Sequence, residues 1–133
     1  MASGGANNLT GIWQGLYSYP GGLEPVSFTA TLLESGSWLS GSIHEVAQEE
    51  SRAPVEVQAT LLGGRIGQDV HFTKTYDGTN AWSHAVAYVG LLSDDATEIE
   101  GCWSIPGVWS GKFLMIRPEG RRSSILRQAF ERV

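Results

Sequence analysis

The chain has 133 residues and a formal net charge of −5, and its nine basic residues are scattered apart from Arg121 and Arg122. This length suits one domain, residues 1–133, with its own core, and the lack of a basic cluster predicts no nucleic-acid partner. Cys102 is the single cysteine, the start of the chain lacks a signal-peptide pattern, and the longest nearly apolar run, residues 85–92, is too short to span a bilayer. We therefore expect a cytoplasmic protein with no membrane partner.

Turn signals recur at short intervals among the 17 glycines, which is typical of an all-β meander. Strands are predicted at residues 11–19, 26–33, 38–45, 55–62, 68–76, 82–92, 97–105 and 109–117. Gly63 and Gly64 are predicted to form the turn after the fourth strand, and the polar, proline-containing residues 46–54 a longer loop.

Alternation is clearest in the second strand, where Phe28, Ala30 and Leu32 share one face. Eight short strands must cover their edges, and closure into a barrel removes those edges. We therefore predict an all-β, eight-stranded antiparallel up-and-down barrel over about residues 9–118. A two-sheet sandwich is the alternative, since periodicity does not separate the two.

The end of the chain has a different period. Apolar residues repeat at helical spacing over residues 123–133, which predicts a short C-terminal helix lying on the barrel. The preceding segment, residues 121–124, is either a basophilic kinase site or the N-terminus of that helix with a serine cap.

The first strand carries Gly11-Ile12-Trp13, and a Gly-x-Trp there resembles the calycin superfamily, which includes lipocalins, fatty-acid-binding proteins and avidins. Residues 28–41 resemble the second hairpin of avidin-type proteins, and parts of strands five to seven are similar to theirs. The resemblance implies a barrel with one closed base and one open mouth. It also implies that Arg117 stacks on Trp13 at the base as a structural cation–π contact.

The ligand side departs from the avidin and streptavidin pattern. Ile43 stands where that family has a tyrosine, Glu45 where it has a small hydroxyl residue, and His84 where it has an aromatic wall residue. Trp103 keeps a wall position. The resemblance therefore implies the fold without biotin binding.

Side chains alternate along a strand, so the inward position of Trp13 sets the parity of the whole barrel. The inward residues near the mouth are aromatic with a few polar groups, as in many small-molecule sites. The candidate ligand-binding residues are Tyr17, Tyr19, Glu45, Phe72, Lys74, Tyr76, Trp82, His84 and Trp103.

Several of these residues have a purely structural alternative. Glu45 and Lys74 could turn into solvent or form an ion pair at the rim, which would contribute only about 0–1 kcal/mol. His84 could be a core histidine hydrogen-bonded to Tyr17 or Tyr76. The loop at residues 46–54 is either a lid over the mouth or an ordinary solvated loop.

Three functions are compatible with this pattern. The first is a small-molecule-binding barrel with an aromatic pocket at its open end. The second is a small enzyme with His84 or Glu45 as general base, although no catalytic motif selects a reaction. The third is a protein-interaction barrel with a filled core. No cofactor or metal is predicted, because His44, His71 and His84 lie on separate strands and only His84 points inward.

The outward face of the sixth strand is also small or apolar, at Ser83, Ala85, Ala87, Val89 and Leu91. A strand that is apolar on both faces predicts a partner. Packing into a homodimer or homotetramer is one candidate and cover by the C-terminal helix is the other. Trp38 and Trp109 could belong to the same surface.

Overall fold

A computed structural model describes four stretches of the chain, residues 8–22, 24–47, 55–76 and 85–117. They form a closed barrel in which each strand pairs antiparallel with the next and the last strand returns to the first. The eight strands are β1 (Gly11–Tyr17), β2 (Val26–Ser35), β3 (Trp38–Ala47), β4 (Val55–Ile66), β5 (Asp69–Tyr76), β6 (Ala85–Leu92), β7 (Glu98–Ile105) and β8 (Trp109–Ile116). The predicted up-and-down barrel is confirmed, and the two-sheet sandwich is wrong because β8 pairs with β1.

Three sequence predictions fall on other parts of the chain. The C-terminal helix at residues 123–133, the basic-serine motif at 121–124 and most of the loop at 46–54 lie outside the described residues. Within the described stretches, no helix is long and apolar enough to cross a membrane.

The alternation of the strands sets which side chains fill the barrel. Along β5, Val70, Phe72, Lys74 and Tyr76 are buried while the residues between them are exposed. A strand places successive side chains on opposite faces, so these four residues point into the interior. The parity counted from Trp13 is therefore correct for this strand.

The predicted turn at Gly63 and Gly64 is wrong. Both glycines lie inside β4, which continues to Ile66, and the chain turns at Gly67, whose φ of +61° favours glycine. A Cβ atom at Gly63 would overlap the carbonyl oxygen of His71 on β5. This glycine pair allows two strands to approach closely, a use that sequence alone does not distinguish from a turn.

The closed base of the barrel is built around Trp13. The Trp13 indole Nε1 donates a hydrogen bond to the carbonyl oxygen of Leu9 at 2.9 Å, and both side chains are fully buried. The guanidinium carbon of Arg117 lies 4.7 Å from the centre of the Trp13 ring, and Arg117 Nη2 donates to the carbonyl oxygen of Asn8 at 2.8 Å. The expected contact between Arg117 and Trp13 is therefore confirmed.

Candidate functional site

The open mouth collects the ends of the odd-numbered strands, because all of them run in the same direction in an up-and-down barrel. Tyr17 is the last residue of β1, Glu45 lies near the end of β3, and Lys74 and Tyr76 end β5. Parity turns all four side chains inward, and the structure brings them together from three different strands.

Glu45 is the centre of this group. Its Oε2 atom accepts hydrogen bonds from the Tyr17 hydroxyl at 2.6 Å and from the Tyr76 hydroxyl at 3.1 Å. Its Oε1 atom accepts from Lys74 Nζ at 3.0 Å. Lys74 and Glu45 form the ion pair that was one of the alternatives, but their side chains are only 2% and 4% exposed, so the alternative that they turn into solvent is wrong. The ion pair is buried, and its stability depends on these additional hydrogen bonds.

Lys74 is also surrounded by aromatic rings. Its Nζ atom lies 4.6 Å from the Tyr17 ring centre, 4.5 Å from that of Tyr76 and 5.5 Å from that of Tyr88. These distances are typical of cation–π contacts, which attract an ammonium group to the ring face. The ammonium is therefore held by one carboxylate and three phenol rings.

Burial changes the proton affinities in this cluster. Desolvation lowers the pKa of Lys74, and the nearby Glu45 charge opposes that shift only in part. Desolvation also raises the pKa values of Tyr17, Tyr76 and Tyr88 above 10.0, and the Glu45 charge adds to each increase. The three phenols therefore stay protonated well into the alkaline range, while Lys74 gives up its proton more readily than an exposed lysine.

A cavity of about 320 Å³ opens beside the cluster at the mouth. The described side chains that line it are mainly aromatic and aliphatic, with Lys74 as the one charged residue among them. They are Tyr17, Tyr19, Lys74, Tyr76, Val86, Tyr88, Trp103, Ile105, Val108 and Trp109. The cavity is at the small end of the range for ligand sites, which is about 300–1,000 Å³. The alternative of a barrel filled throughout by its own side chains therefore does not hold at the mouth, where this cavity lies.

The aromatic wall of the cavity is held in place by contacts among its own members. Trp103 Nε1 donates to the carbonyl oxygen of Ser18 at 2.8 Å, and the Tyr19 ring lies edge-on to Trp103 at 5.5 Å. Tyr19 also contacts Trp109 at 4.8 Å. A Cβ atom at Gly111 would lie 2.6 Å from the Trp103 indole nitrogen, so glycine at this position makes room for the indole. These contacts fix the positions of the aromatic rings relative to one another.

The structure places the sequence-predicted site residues in three groups. Tyr17, Tyr19, Lys74, Tyr76 and Trp103 line the cavity, and Glu45 holds Lys74. Phe72 is not among the cavity-lining residues, because its ring is stacked on Tyr88 at 4.7 Å within the core. Trp82 and His84 lie outside the described residues.

Other cavity residues were missed at the sequence level. Val86, Tyr88, Ile105, Val108 and Trp109 line the cavity but were not chosen as candidates. The signal for Trp109 was present, because counting back in twos from the buried Phe113 through Gly111 gives Trp109 the inward parity. Its position next to a turn obscured this signal. Trp109 is therefore part of the cavity wall, and since 39% of it is exposed, its place on an association surface stays a prediction.

The histidines behave as the parity predicted where they are described. His44 and His71 are exposed on the outer face. Among the described residues, no group of three or more His, Cys, Asp or Glu side chains is placed to hold a metal ion.

No family model matches the chain, and no curated protein matches it. Among solved structures, the chain is similar to apocrustacyanin C2, with a TM-score of 0.46 and 16% sequence identity. The match covers 99% of this chain and 74% of that chain. A likeness this distant carries no argument about a ligand.

Proposed function

We propose that this barrel binds one small, largely apolar molecule in the cavity at its open mouth. The observation that supports this is the aromatic cavity of about 320 Å³ beside a buried lysine. A mainly apolar and aromatic lining with a few convergent polar groups is the usual composition of a small-molecule site. The size of the cavity favours a compact ligand of one or two rings.

The lining also indicates the chemistry of the ligand. Tyr19, Trp103 and Trp109 present ring surfaces that favour a flat aromatic or unsaturated group. The Lys74 ammonium carries three N–H bonds. One of them donates a hydrogen bond to Glu45, so another can donate to an oxygen atom of the ligand. We therefore expect a planar apolar body with one hydrogen-bond acceptor that points towards Lys74.

Binding can be tested with three aromatic alcohols, benzyl alcohol, cinnamyl alcohol and naphthol, by NMR titration of the indole N–H signals. Trp103 lines the cavity whereas Trp13 is buried at the base, so only the Trp103 signal of these two should shift. Two variants on β6 give a matched comparison. Val86→Phe places a phenyl group in the cavity, and Val89→Phe makes the same change on the outer face.

We expect Val86→Phe to weaken binding about tenfold or more, equivalent to at least about 1.4 kcal/mol, and Val89→Phe to leave it unchanged. If none of the three alcohols shifts the Trp103 signal, or if both variants bind equally well, the proposed function is wrong.

The enzyme alternative gains no specific support from the geometry. Both oxygens of Glu45 accept hydrogen bonds from Lys74, Tyr17 and Tyr76, and Glu45 is not among the described side chains that line the cavity. His84, the other predicted base, lies outside the described residues. The role of residues 46–54 as a lid likewise stays a prediction.

Self-association through β6 is a further part of the proposal. Val89 and Leu91 are each 62% exposed on the outer face, and the strand register continues from Val89 through His71 and Gly64 to the exposed Trp38. Exposed apolar patches of this kind often mark contact surfaces. A Val89→Glu variant should lower the mass seen by sedimentation if a homodimer or homotetramer forms there.

Two other expectations remain proposals. The first is the specific resemblance to avidins, which goes beyond the shared barrel fold. The Trp13–Arg117 contact that the calycin resemblance implied is present. Cytoplasmic location is the other, and localisation of a tagged full-length chain would test it.

A further inference from the structure

The cavity contains a nucleophile that the binding proposal uses only as a hydrogen-bond donor. The chain has two lysines, Lys74 and Lys112. Lys74 lines the cavity, whereas Lys112 is exposed on β8. A lysine in a desolvated apolar site is a typical amine for reaction with carbonyl compounds.

We propose that Lys74 forms a reversible imine with an aldehyde group of an unsaturated or aromatic ligand bound in the cavity. This inference rests on the proposed binding function and names the class of ligand. The carbonyl oxygen that points towards Lys74 in the bound molecule would be the oxygen lost in the reaction.

The reaction is balanced without any further reagent. The Lys74 ammonium first loses its proton, and the free electron pair on Nζ forms a bond to the carbonyl carbon. The carbonyl oxygen takes up two of the three protons that the nitrogen carried and leaves as water. The C=O bond is thereby replaced by a C=N bond. One proton remains on the imine nitrogen, so an aldehyde and an ammonium group give a protonated imine and water.

The surroundings of Lys74 support both stages of this reaction. Desolvation lowers the pKa of Lys74, which increases the fraction of free amine near neutral pH. Glu45 Oε1 lies 3.0 Å from Nζ, so this carboxylate can accept the ammonium proton and later face the protonated imine as its counter-ion. The hydroxyls of Tyr17 and Tyr76 keep the carboxylate in that position.

The three aromatic rings around Nζ favour the same product. Tyr17, Tyr76 and Tyr88 lie 4.5 to 5.5 Å from the nitrogen, where ring faces stabilise a positive charge. A protonated imine keeps the charge of the ammonium that it replaces. The cluster therefore does not need to be rebuilt when the ligand becomes covalent.

The test uses trans-cinnamaldehyde on the full chain near neutral pH, followed by reduction with sodium cyanoborohydride and peptide mass mapping. The reduction converts an imine to a stable amine and records which nitrogen formed it. We expect one adduct per chain, at Lys74, with Lys112 and the N-terminus largely unmodified. An adduct that is equal or greater at Lys112 would overturn the proposal, because an exposed lysine would then be as reactive as the buried one.

Variants sharpen the assignment. Lys112→Arg should keep the full yield of adduct, and Lys74→Met should lose it while the chain still folds, as judged by circular dichroism. Glu45→Gln should lower the pKa of the protonated imine, because its counter-ion is missing. The long-wavelength absorbance of the protonated imine, recorded against pH, measures this change. If Lys74→Met does not fold, the peptide map of the protein with its original sequence still shows which of the two lysines carries the adduct.

Cinnamyl alcohol separates the two proposals, because it has the same carbon skeleton and cannot form an imine. If cinnamyl alcohol shifts the Trp103 signal but cinnamaldehyde leaves no adduct at Lys74, the imine proposal is wrong and the binding function stands. If neither compound binds but benzyl alcohol or naphthol shifts the Trp103 signal, the imine proposal alone is wrong. If cinnamaldehyde and all three alcohols fail to bind, both proposals are wrong.

Discussion

The two ends of the barrel use the same kind of contact for different purposes. At the base, the Arg117 guanidinium lies 4.7 Å from the Trp13 ring centre. At the mouth, the Lys74 ammonium lies 4.5 Å from the Tyr76 ring centre. Both pairs place a cation against an aromatic face. The base, however, is closed around fully buried side chains, whereas the mouth borders a cavity.

The difference shows how the choice of cation affects what each end can do. Arginine stays charged at all ordinary pH values, and Arg117 donates to a backbone carbonyl, so it acts as a fixed plug. Lysine changes its pKa readily when it is buried, and Lys74 faces a cavity. The base therefore holds a fixed cation among packed side chains, whereas the mouth holds a buried amine beside a cavity.

The largest expected effect is a loss of stability at alkaline pH. Tyr17, Tyr76 and Tyr88 have raised pKa values, so above pH 10 the unfolded chain loses protons that the folded chain retains. The free energy of unfolding then falls by about 1.4 kcal/mol per pH unit for each such group. The pKa of Lys74 is lowered, so this residue raises the free energy of unfolding with increasing pH. That contribution stops growing at the ordinary lysine pKa of 10.5.

The measurement for this prediction is tyrosinate absorbance recorded together with near-ultraviolet circular dichroism. The absorbance of these three residues should appear only as the native dichroism is lost. If all of the tyrosinate absorbance develops while the dichroism stays native, the phenols are not held protonated by the fold.

Trp13→Ala tests the base alone. Removing a fully buried indole should lower the free energy of unfolding by about 4 kcal/mol, because it leaves a cavity in a packed interior. Urea unfolding measures this loss. Binding of cinnamyl alcohol by the fraction that remains folded should be unchanged, and a large loss of affinity would show that the two ends are coupled.

Lys74→Met tests the mouth and should lower the free energy of unfolding by about 3 kcal/mol, because Glu45 is left buried without its cation. The matched variant is Lys74→Met with Glu45→Gln, which removes both charges. We expect urea unfolding to give the double variant a smaller loss than the single one. Equal losses would mean that packing around the lysine stem, and not the unpaired carboxylate, accounts for the effect.

Arg117→Met gives the smallest expected effect, about 1 kcal/mol, since it removes one cation–π contact and one hydrogen bond to a partly exposed carbonyl. Lys112→Met on the exposed face of β8 is the control and should stay within about 0.5 kcal/mol of the unmodified protein. An effect at Arg117 as large as that of Trp13→Ala would show that the plug depends on the cation.

Much of the fold could be predicted because strand alternation is a local property. The alternating residues of β5 assigned Lys74 and Tyr76 to the interior before any pairing was known. Trp109 was not predicted to line the cavity, although the same count through Gly111 gives it the inward parity, because it begins a strand directly after a turn. The prediction of a turn at Gly63 and Gly64 was wrong for a different reason. A glycine that allows a neighbouring strand to approach closely has the same sequence signature as a glycine in a turn.

The sequence by itself determined the number of strands and their parity, because these depend on residue spacing along one chain, whereas the polarity of the barrel was implied by the resemblance of Gly11-Ile12-Trp13 to calycins. Only the tertiary structure decided the state of Glu45 and Lys74, which lie 29 residues apart and could equally have pointed into solvent. Their burial depends on the closed register of β1, β3 and β5, which brings Tyr17 and Tyr76 onto the same carboxylate. Pairing, desolvation and the adjoining cavity are properties of several strands together, so no single segment encodes them.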